Sequence, residues 1–321
     1  MNEFQVIKQF FKPLTKNHPF ALNLTDDSAV ISSNQQIVIT TDTLAENTHF
    51  ISGACPKTLA KKLIRVNISD LAAMGAIPKF YFLSLTLSSY IEENWLMQFA
   101  AGLSEDNSLF NLVLLGGNTV KHNAPLVLTL TAIGEILKQH QPITRNHAIA
   151  GDNIYVTGTI GDAALGLLAK QQKLKSSSQY LNYLIERYDL PQPRISIGSS
   201  LIGIATAMLD ISDGLAQDAE HIACNSQVKL TINTSLVPLS QAASKIVKQN
   251  SQLMSTVLSG GDDYELLFTA PENYDYKIQE ISQKNMLQIT KIGKVTTGQG
   301  VILINNDKKL IELLSKGYLH L

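Results

Sequence analysis

Apolar positions in the first part of the chain alternate between a period of two and a period near 3.6. Gln36-Ile-Val-Ile-Thr is an apolar strand that ends in the polar run Thr40-Thr41-Asp42-Thr43. Leu59, Leu63, Val66, Asp70 and Ala73 recur at intervals of 4, 3, 4 and 3, which predicts a helix over 57–74 that Gly75 and Pro78 stop. Residues 80–87 alternate as a strand, 92–103 have helical spacing, and short strands follow at 112–115 and 126–133. This is α/β patterning with mixed strand order.

The pattern breaks between Ile143 and Asp152, at Pro142, Arg145-Asn-His and Gly151-Asp152. A domain boundary is expected there, with one domain over 1–140 and a second over 148–321. The second opens on a strand at Asn153-Ile-Tyr-Val-Thr and a helix over 162–171. An exposed loop at 173–179, a helix to Arg187, a turn at Pro191-Gln-Pro193-Arg194 and a helix over 196–207 come next. Met208-Leu-Asp-Ile leads into Ser212-Asp-Gly and a helix to Cys224, followed by strands at 228–232 and 265–269. Residues 290–295 and 301–304 look like a terminal hairpin.

Composition narrows the classes. The 321 residues carry 26 Lys+Arg against 27 Asp+Glu, a formal charge of −1, and 45% are hydrophobic. That length suits two domains with real cores, and the balanced charge argues against a nucleic-acid or membrane-surface binder. Cys55 and Cys224 stand 169 positions apart in no metal-ligand spacing and read as buried small hydrophobes. Without a signal-peptide pattern or an apolar run of membrane length, the chain reads as cytoplasmic.

The chemistry concentrates in aspartates. Eight of fifteen fall in five segments: Asp26-Asp27, Asp42, Asp70, Asp210 with Asp213, and Asp262-Asp263. Hard cations such as Mg²⁺ take oxygen ligands, commonly a few carboxylates together with substrate phosphates. Any one of these aspartates is equally an ordinary cap or turn residue; together they are harder to dismiss. Asp70 lies on the apolar stripe of its own helix, where a carboxylate must be paired or metal-bound, and Arg65 or Lys62 are the competing partners. Asn67 lies near that stripe as a second polar contact or a helix-end hydrogen bonder. Asp42 is expected beyond the carboxyl end of its strand with Thr40 and Thr41, and Ser212-Asp213 at a helix start, where anions are favoured but a simple cap is the alternative. Two Gly-Gly pairs, Gly116-Gly117 before Asn118 and Gly260-Gly261 before Asp262, are read as following strands, where they allow close phosphate approach or positive φ. No Walker loop, dinucleotide fingerprint, kinase loop or H-E-x-x-H is present, so a bound nucleotide would be held mainly through metal ions.

Taken in order, Asp26-Asp27-Ser-Ala-Val, Thr40-Thr-Asp-Thr-Leu-Ala-Glu-Asn-Thr-His49-Phe50, Val66-Asn-Ile-Ser-Asp70, Leu115-Gly-Gly-Asn118-Thr, Asp210-Ile-Ser-Asp-Gly-Leu, Ser259-Gly-Gly-Asp-Asp-Tyr-Glu-Leu and Gly317-Tyr318 resemble the thiamine-phosphate kinase family. Its superfamily also contains aminoimidazole ribonucleotide synthetase and selenophosphate synthetase. The resemblance implies a two-domain α/β fold of mixed sheets and helices and a homodimer that pairs its N-terminal sheets. It implies transfer of the ATP γ-phosphoryl group onto thiamine monophosphate, in line, with several Mg²⁺ ions. By motif it makes Asp27, Thr40, Thr41, Asp42, Asp70, Asp210 and Asp213 metal ligands. Gly117, Asn118, Arg145, Ser212 and Phe110 fall at the nucleotide, and His49, Asp262 and Tyr318 at the thiamine phosphate.

Three positions depart from the family pattern. Phe110 stands where a Tyr is usual, Asn23-Leu24-Thr25 replaces Gly-x-Gly, and Asn118 replaces an Asp. A neutral oxygen at Asn118 is expected to weaken one metal site. Two rival readings follow: another ATP-dependent enzyme of the superfamily, such as an aminoimidazole-type synthetase, or a non-catalytic binder of thiamine phosphates.

Overall fold

The structure is a computed structural model describing residues 7–20, 33–313 and 317. Asp26, Asp27, the Asn23-Leu24-Thr25 segment and Tyr318 lie outside those residues. The chain divides into two units, Met1–Leu71 with Ala76–Gln139, and Ala72–Gly75 with His140–Leu321.

The first unit is built from β1 (Ile37–Ala45), α1 (Pro56–Ala73), β2 (Ile77–Ser88), α2 (Glu93–Leu109), β3 (Val113–His122) and β4 (Val127–Glu135). Its strands form one sheet in the order β1-β4-β2-β3. Neighbours run antiparallel except β2 and β3, which are parallel and are joined through α2, as a parallel pair requires. α1 is buried nearly all round, with Ala60, Leu63, Ile64 and Leu71 at 0% exposure. It crosses α2 closely: a Cβ on Gly102 would stand 2.2 Å from the Lys57 carbonyl oxygen. Arg65 of α1 grips Asp106 of α2 with two hydrogen bonds, 2.7 and 3.0 Å. That pair helps carry α2 six residues beyond the expected end at Leu103.

Two expectations are corrected here. β1 does not stop at Thr40; it continues through the Thr-Thr-Asp-Thr run, so Asp42 sits mid-strand opposite Leu130 rather than beyond a carboxyl end. β-branched threonines suit a strand whose outer side is open. The first Gly-Gly pair likewise lies inside β3, at a bulge between Tyr81 and Phe82 of the neighbouring strand. Its need for glycine is steric: a Cβ on Gly117 would stand 1.9 Å from the Leu83 carbonyl oxygen.

The second unit contains β5 (Asn153–Thr157), α3 (Asp162–Lys170), α4 (Ser178–Asp189), α5 (Ile195–Ser200), β6 (Ala207–Asp210), α6 (Leu215–Ser226), β7 (Lys229–Asn233), α7 (Gln241–Gln249), α8 (Leu253–Ser259), β8 (Leu266–Ala270), α9 (Asp275–Lys284), β9 (Ile289–Thr296) and β10 (Gly300–Ile304). The sheet order is β10-β7-β9-β5-β8-β6. β5 is buried on both sides. Ile154 and Val156 join one core with Leu209, Leu215 and Ile222, and Tyr155 joins another with Met208, Phe268 and Leu201. A strand covered on both faces reads as a continuous apolar run.

The expected terminal hairpin is absent: β7 lies between β9 and β10, parallel to β10 and antiparallel to β9. The expected helix over 196–207 ends at Ser200, and Gly203, at φ +74°, turns the chain toward β6. The second Gly-Gly pair follows α8, not a strand. Both cysteines are exposed rather than buried. Among the described residues no helix is long and apolar enough to cross a membrane.

Candidate active site

In the first unit the pleat of β1 divides adjacent residues between the two sides of the sheet. Val38, Thr40, Asp42 and Leu44 face α1; Ile39, Thr41 and Thr43 face the other, open side. The Thr40 hydroxyl donates to Asp70 Oδ2 of α1 at 2.6 Å. Asn67, at 0% exposure, accepts the Asp42 backbone N–H at 2.9 Å and donates to the Leu63 carbonyl at 2.8 Å. Asn67 thereby ties the strand bearing Asp42 to the helix bearing Asp70. Of the partners considered for Asp70, Arg65 is engaged with Asp106.

On the open side, the Thr41 hydroxyl donates to the Leu130 carbonyl and accepts from Thr131, both at 3.1 Å. Asn118 occupies the same side of β3, in the cross-strand row of Ser84, Thr129 and Thr43. β1 and β3 are the two edges of the sheet, about 14 Å apart over three strand spacings. Within one copy, therefore, Asn118 does not join Thr40, Asp42 and Asp70. Phe110 caps α2 and is half-buried, with the Arg65 guanidinium carbon 5.6 Å from its ring centroid. His49 follows β1 in a tight turn; its ring Nδ1 accepts the Ala45 N–H at 3.0 Å, so Nε2 is the ring nitrogen that carries the proton.

The second unit gathers its candidates at two crossing loops. Asp210 ends β6 at 3% exposure. The Asp262 N–H donates to the Ser212 carbonyl at 2.9 Å, and the Tyr264 N–H to the Ile211 carbonyl at 2.8 Å. This contact needs a glycine beside it, since a Cβ on Gly261 would stand 2.1 Å from the Ser212 carbonyl oxygen. Asp262 (φ +71°) and Tyr264 (φ +52°) both hold left-handed backbone, which is costly away from glycine and concentrates at functional sites. The flanking acids clamp the segment. Asp263 accepts the Gly161 and Ala163 N–H groups at 2.6 and 3.2 Å, and burial, with Asp162 nearby, raises its pKa. Glu265, at 0% exposure, accepts from Thr157 (2.7 Å), Arg187 (3.0 Å) and both Nε (2.6 Å) and Nη2 of Arg194.

Asp213 begins the turn into α6. Asp218, absent from the expected set, accepts the Asp213 and Gly214 N–H groups at 3.0 and 3.1 Å. Burial pushes its pKa up to about 7, Asp213 adds to the rise, and the Arg145 charge opposes it. Asp213, Asp218 and His221 bring ligand atoms within 4.8 Å of one another. A residue in the first turn of a helix, aimed back at the turn before it, is the sequence signal for Asp218. Gly317 packs on the same turn: a Cβ there would stand 2.4 Å from Gln217 Cβ and 2.8 Å from the Asp213 carbonyl oxygen. Arg145 is exposed, and its carbonyl accepts from Ser226 at 3.1 Å.

Residues 25–136 match the family described as AIR synthase related protein, N-terminal domain, and residues 150–305 match its C-terminal domain. Fold and site thus define a two-domain protein of the AIR-synthase-related class. A thiamine-monophosphate kinase from Haemophilus influenzae is 40% identical, over 92% of this chain and 89% of its own. A crystal structure of thiamine-monophosphate kinase from Stenotrophomonas maltophilia K279a superposes with a TM-score of 0.85 at 32% identity, covering 97% of this chain and 98% of that one. A structure described as AaThiL complexed with AMPPCP and TMP has a TM-score of 0.78 at 30% identity, covering 99% and 97%. The chain belongs to the thiamine-monophosphate kinase family.

Proposed function

We propose that this chain transfers the γ-phosphoryl group of ATP in line onto the phosphate of thiamine monophosphate, giving thiamine diphosphate and ADP. The observation that carries the reading is the Thr40–Asp70 pair beside Asp42. A hydroxyl and two carboxylates are set on the α1 side of one sheet, and a buried amide holds the strand in place. These oxygens, with Asp210 and Asp213 in the second unit, are the hard donors that Mg²⁺ prefers. They fit the metal, and Asp27 belongs to the same proposed set. Bound Mg²⁺ supplies neutralisation of the phosphate charges.

The protein's own part is positioning. His49 offers Nε2–H to the acceptor phosphate. Asp262, on its clamped left-handed segment, serves the thiamine end, and Tyr318 is assigned to the same end by motif alone. Arg145, Ser212, Gly117 and Phe110 serve the nucleotide. The acceptor is itself a phosphate with nucleophilic oxygens at neutral pH, so a general base is unnecessary.

Thr41 and Asn118 share the open side of the sheet at opposite edges, and a homodimer that pairs these sides would bring the β1 edge of one copy toward the β3 edge of the other. In this reading Asn118 completes the site of a second copy. The deciding experiment is phosphorus NMR of purified, demonstrably folded protein with ATP, Mg²⁺ and thiamine monophosphate. Formation of thiamine diphosphate is expected, and its absence would sink the reading.

A further inference from the structure

Glu46 is a carboxylate at 7% exposure that no metal or nucleotide role claims. Its side chain collects donors from three separate loops. Tyr90 OH donates at 2.6 Å, the Leu126 N–H donates at 2.9 Å, and Ser52 adds a side-chain hydrogen bond. The Glu46 N–H donates in turn to the Leu126 carbonyl at 2.9 Å, so residue 46 brackets Leu126 with both backbone and side chain. Tyr90 is itself 56% exposed; its ring adds little packing, and its hydroxyl is the part that is used.

Glu46 opens the turn that carries His49. Asn47, at φ +66°, donates its N–H to the Phe50 carbonyl at 2.8 Å, and the His49 N–H donates to the Ala45 carbonyl at 2.9 Å. The imidazole folds back so that Nδ1 accepts the Ala45 N–H. The tautomer and direction of His49 are therefore set by a turn whose first residue is held from the β2–α2 connection and from the start of β4. Asn takes left-handed backbone at little cost, so the turn forms readily, and the Glu46 carboxylate fixes where its first residue sits by tying it to Tyr90 and Leu126.

We propose that Glu46, with Tyr90, is the positioning residue of the His49 donor and so sets affinity for the phosphorylated acceptor, leaving turnover and ATP affinity nearly untouched. This rests on the reading of His49 as a ligand of that acceptor.

The test is a double-mutant cycle on the full-length protein, with KM for thiamine monophosphate, KM for ATP and kcat measured for Glu46→Ala, Glu46→Gln, His49→Ala and the Glu46→Ala/His49→Ala pair. Glu46→Ala should raise KM for thiamine monophosphate about fivefold or more, with kcat and KM for ATP changed less than about twofold. Glu46→Gln, which keeps a carbonyl acceptor for the Leu126 N–H, should stay near wild type. The double variant should be no worse than His49→Ala alone. If His49→Ala raises KM and Glu46→Ala does not, or if the two effects multiply, the positioning role is overturned while the His49 assignment stands. An unchanged KM in His49→Ala would instead remove the His49 assignment, and this proposal with it. Should Glu46→Ala fail to fold, Tyr90→Phe/Ser52→Ala removes two of the three donors; a smaller rise in the same KM is expected there, and a flat result counts against the proposal.

Discussion

The Thr40 hydroxyl and the Asp70 carboxylate meet at 2.6 Å, joining a mid-strand threonine to a helical aspartate thirty residues later. Asp70→Asn keeps an acceptor for that hydroxyl and removes only the charge. We expect kcat to fall at least about 100-fold, as for loss of an essential metal ligand, with a melting temperature in EDTA close to wild type. A variant retaining more than a tenth of the rate would show that Asp70 does not hold metal.

Asn67 places Asp42 through one part-buried hydrogen bond and anchors itself through a second, buried one. Asn67→Ala leaves the Asp42 N–H and the Leu63 carbonyl without these partners, so a loss of about 1–3 kcal/mol in urea unfolding is expected. Activity should fall further than stability explains. Full activity at unchanged stability would mean that the strand does not depend on this tie.

Asn118→Asp restores a carboxylate on the open side of β3. The Mg²⁺ concentration giving half-maximal rate should drop severalfold, since an anionic oxygen binds the ion more strongly than an amide. An unchanged or higher requirement argues against a ligand role for this position.

Ile37 and Ile39 are exposed on the edge strand at 41% and 63%, and Val120 at 49% lies on the same side of β3. In the proposed homodimer these exposed apolar side chains would be covered by the second copy. Ile39→Lys should yield a monomer by light scattering, with thermal stability preserved and activity lost. A dimeric Ile39→Lys, or a fully active monomer, would remove the second copy from the site.

Burial opposes charge on Glu46, but hydrogen bonds from Ser52, Tyr90 and the Leu126 N–H outweigh it and hold the carboxyl below its ordinary 4.5. A carboxyl lowered in the folded state adds stability above its unfolded value and loses it as pH falls through the folded value. Glu46→Gln cannot titrate. The stability advantage of wild type over Glu46→Gln should therefore shrink in urea titrations as pH is lowered from 7 through about 4, and an advantage that grew on acidification would contradict the hydrogen-bond account. The same contact works in reverse on Tyr90: burial and then Glu46 push its hydroxyl up to about 12.

The α1 stripe was legible because helical spacing survives one polar substitution, and Asp70 stood out by breaking it. β1 was legible only in its first half. Thr41 and Thr43 point to an open face, where polar residues look like a loop until cross-strand partners are known. Pairing order was illegible for a related reason: β9 and β10 each read as a short apolar segment, yet nothing local reveals that β7 inserts between them. The Glu265 clamp joins residues 108, 78 and 71 positions away, a distance at which neither periodicity nor motif spacing carries information.

Because β1 alternates faces residue by residue, Thr40 and Asp42 serve one side while Thr41 serves the other. A single deletion within the strand would exchange the two sets, turning the open-side threonine toward α1 and the carboxylate away from it. Substitutions along β1 are separate events with separate costs; a change in its length abolishes both of its duties at once, so the residue count of this strand is under tighter constraint than most of its side chains.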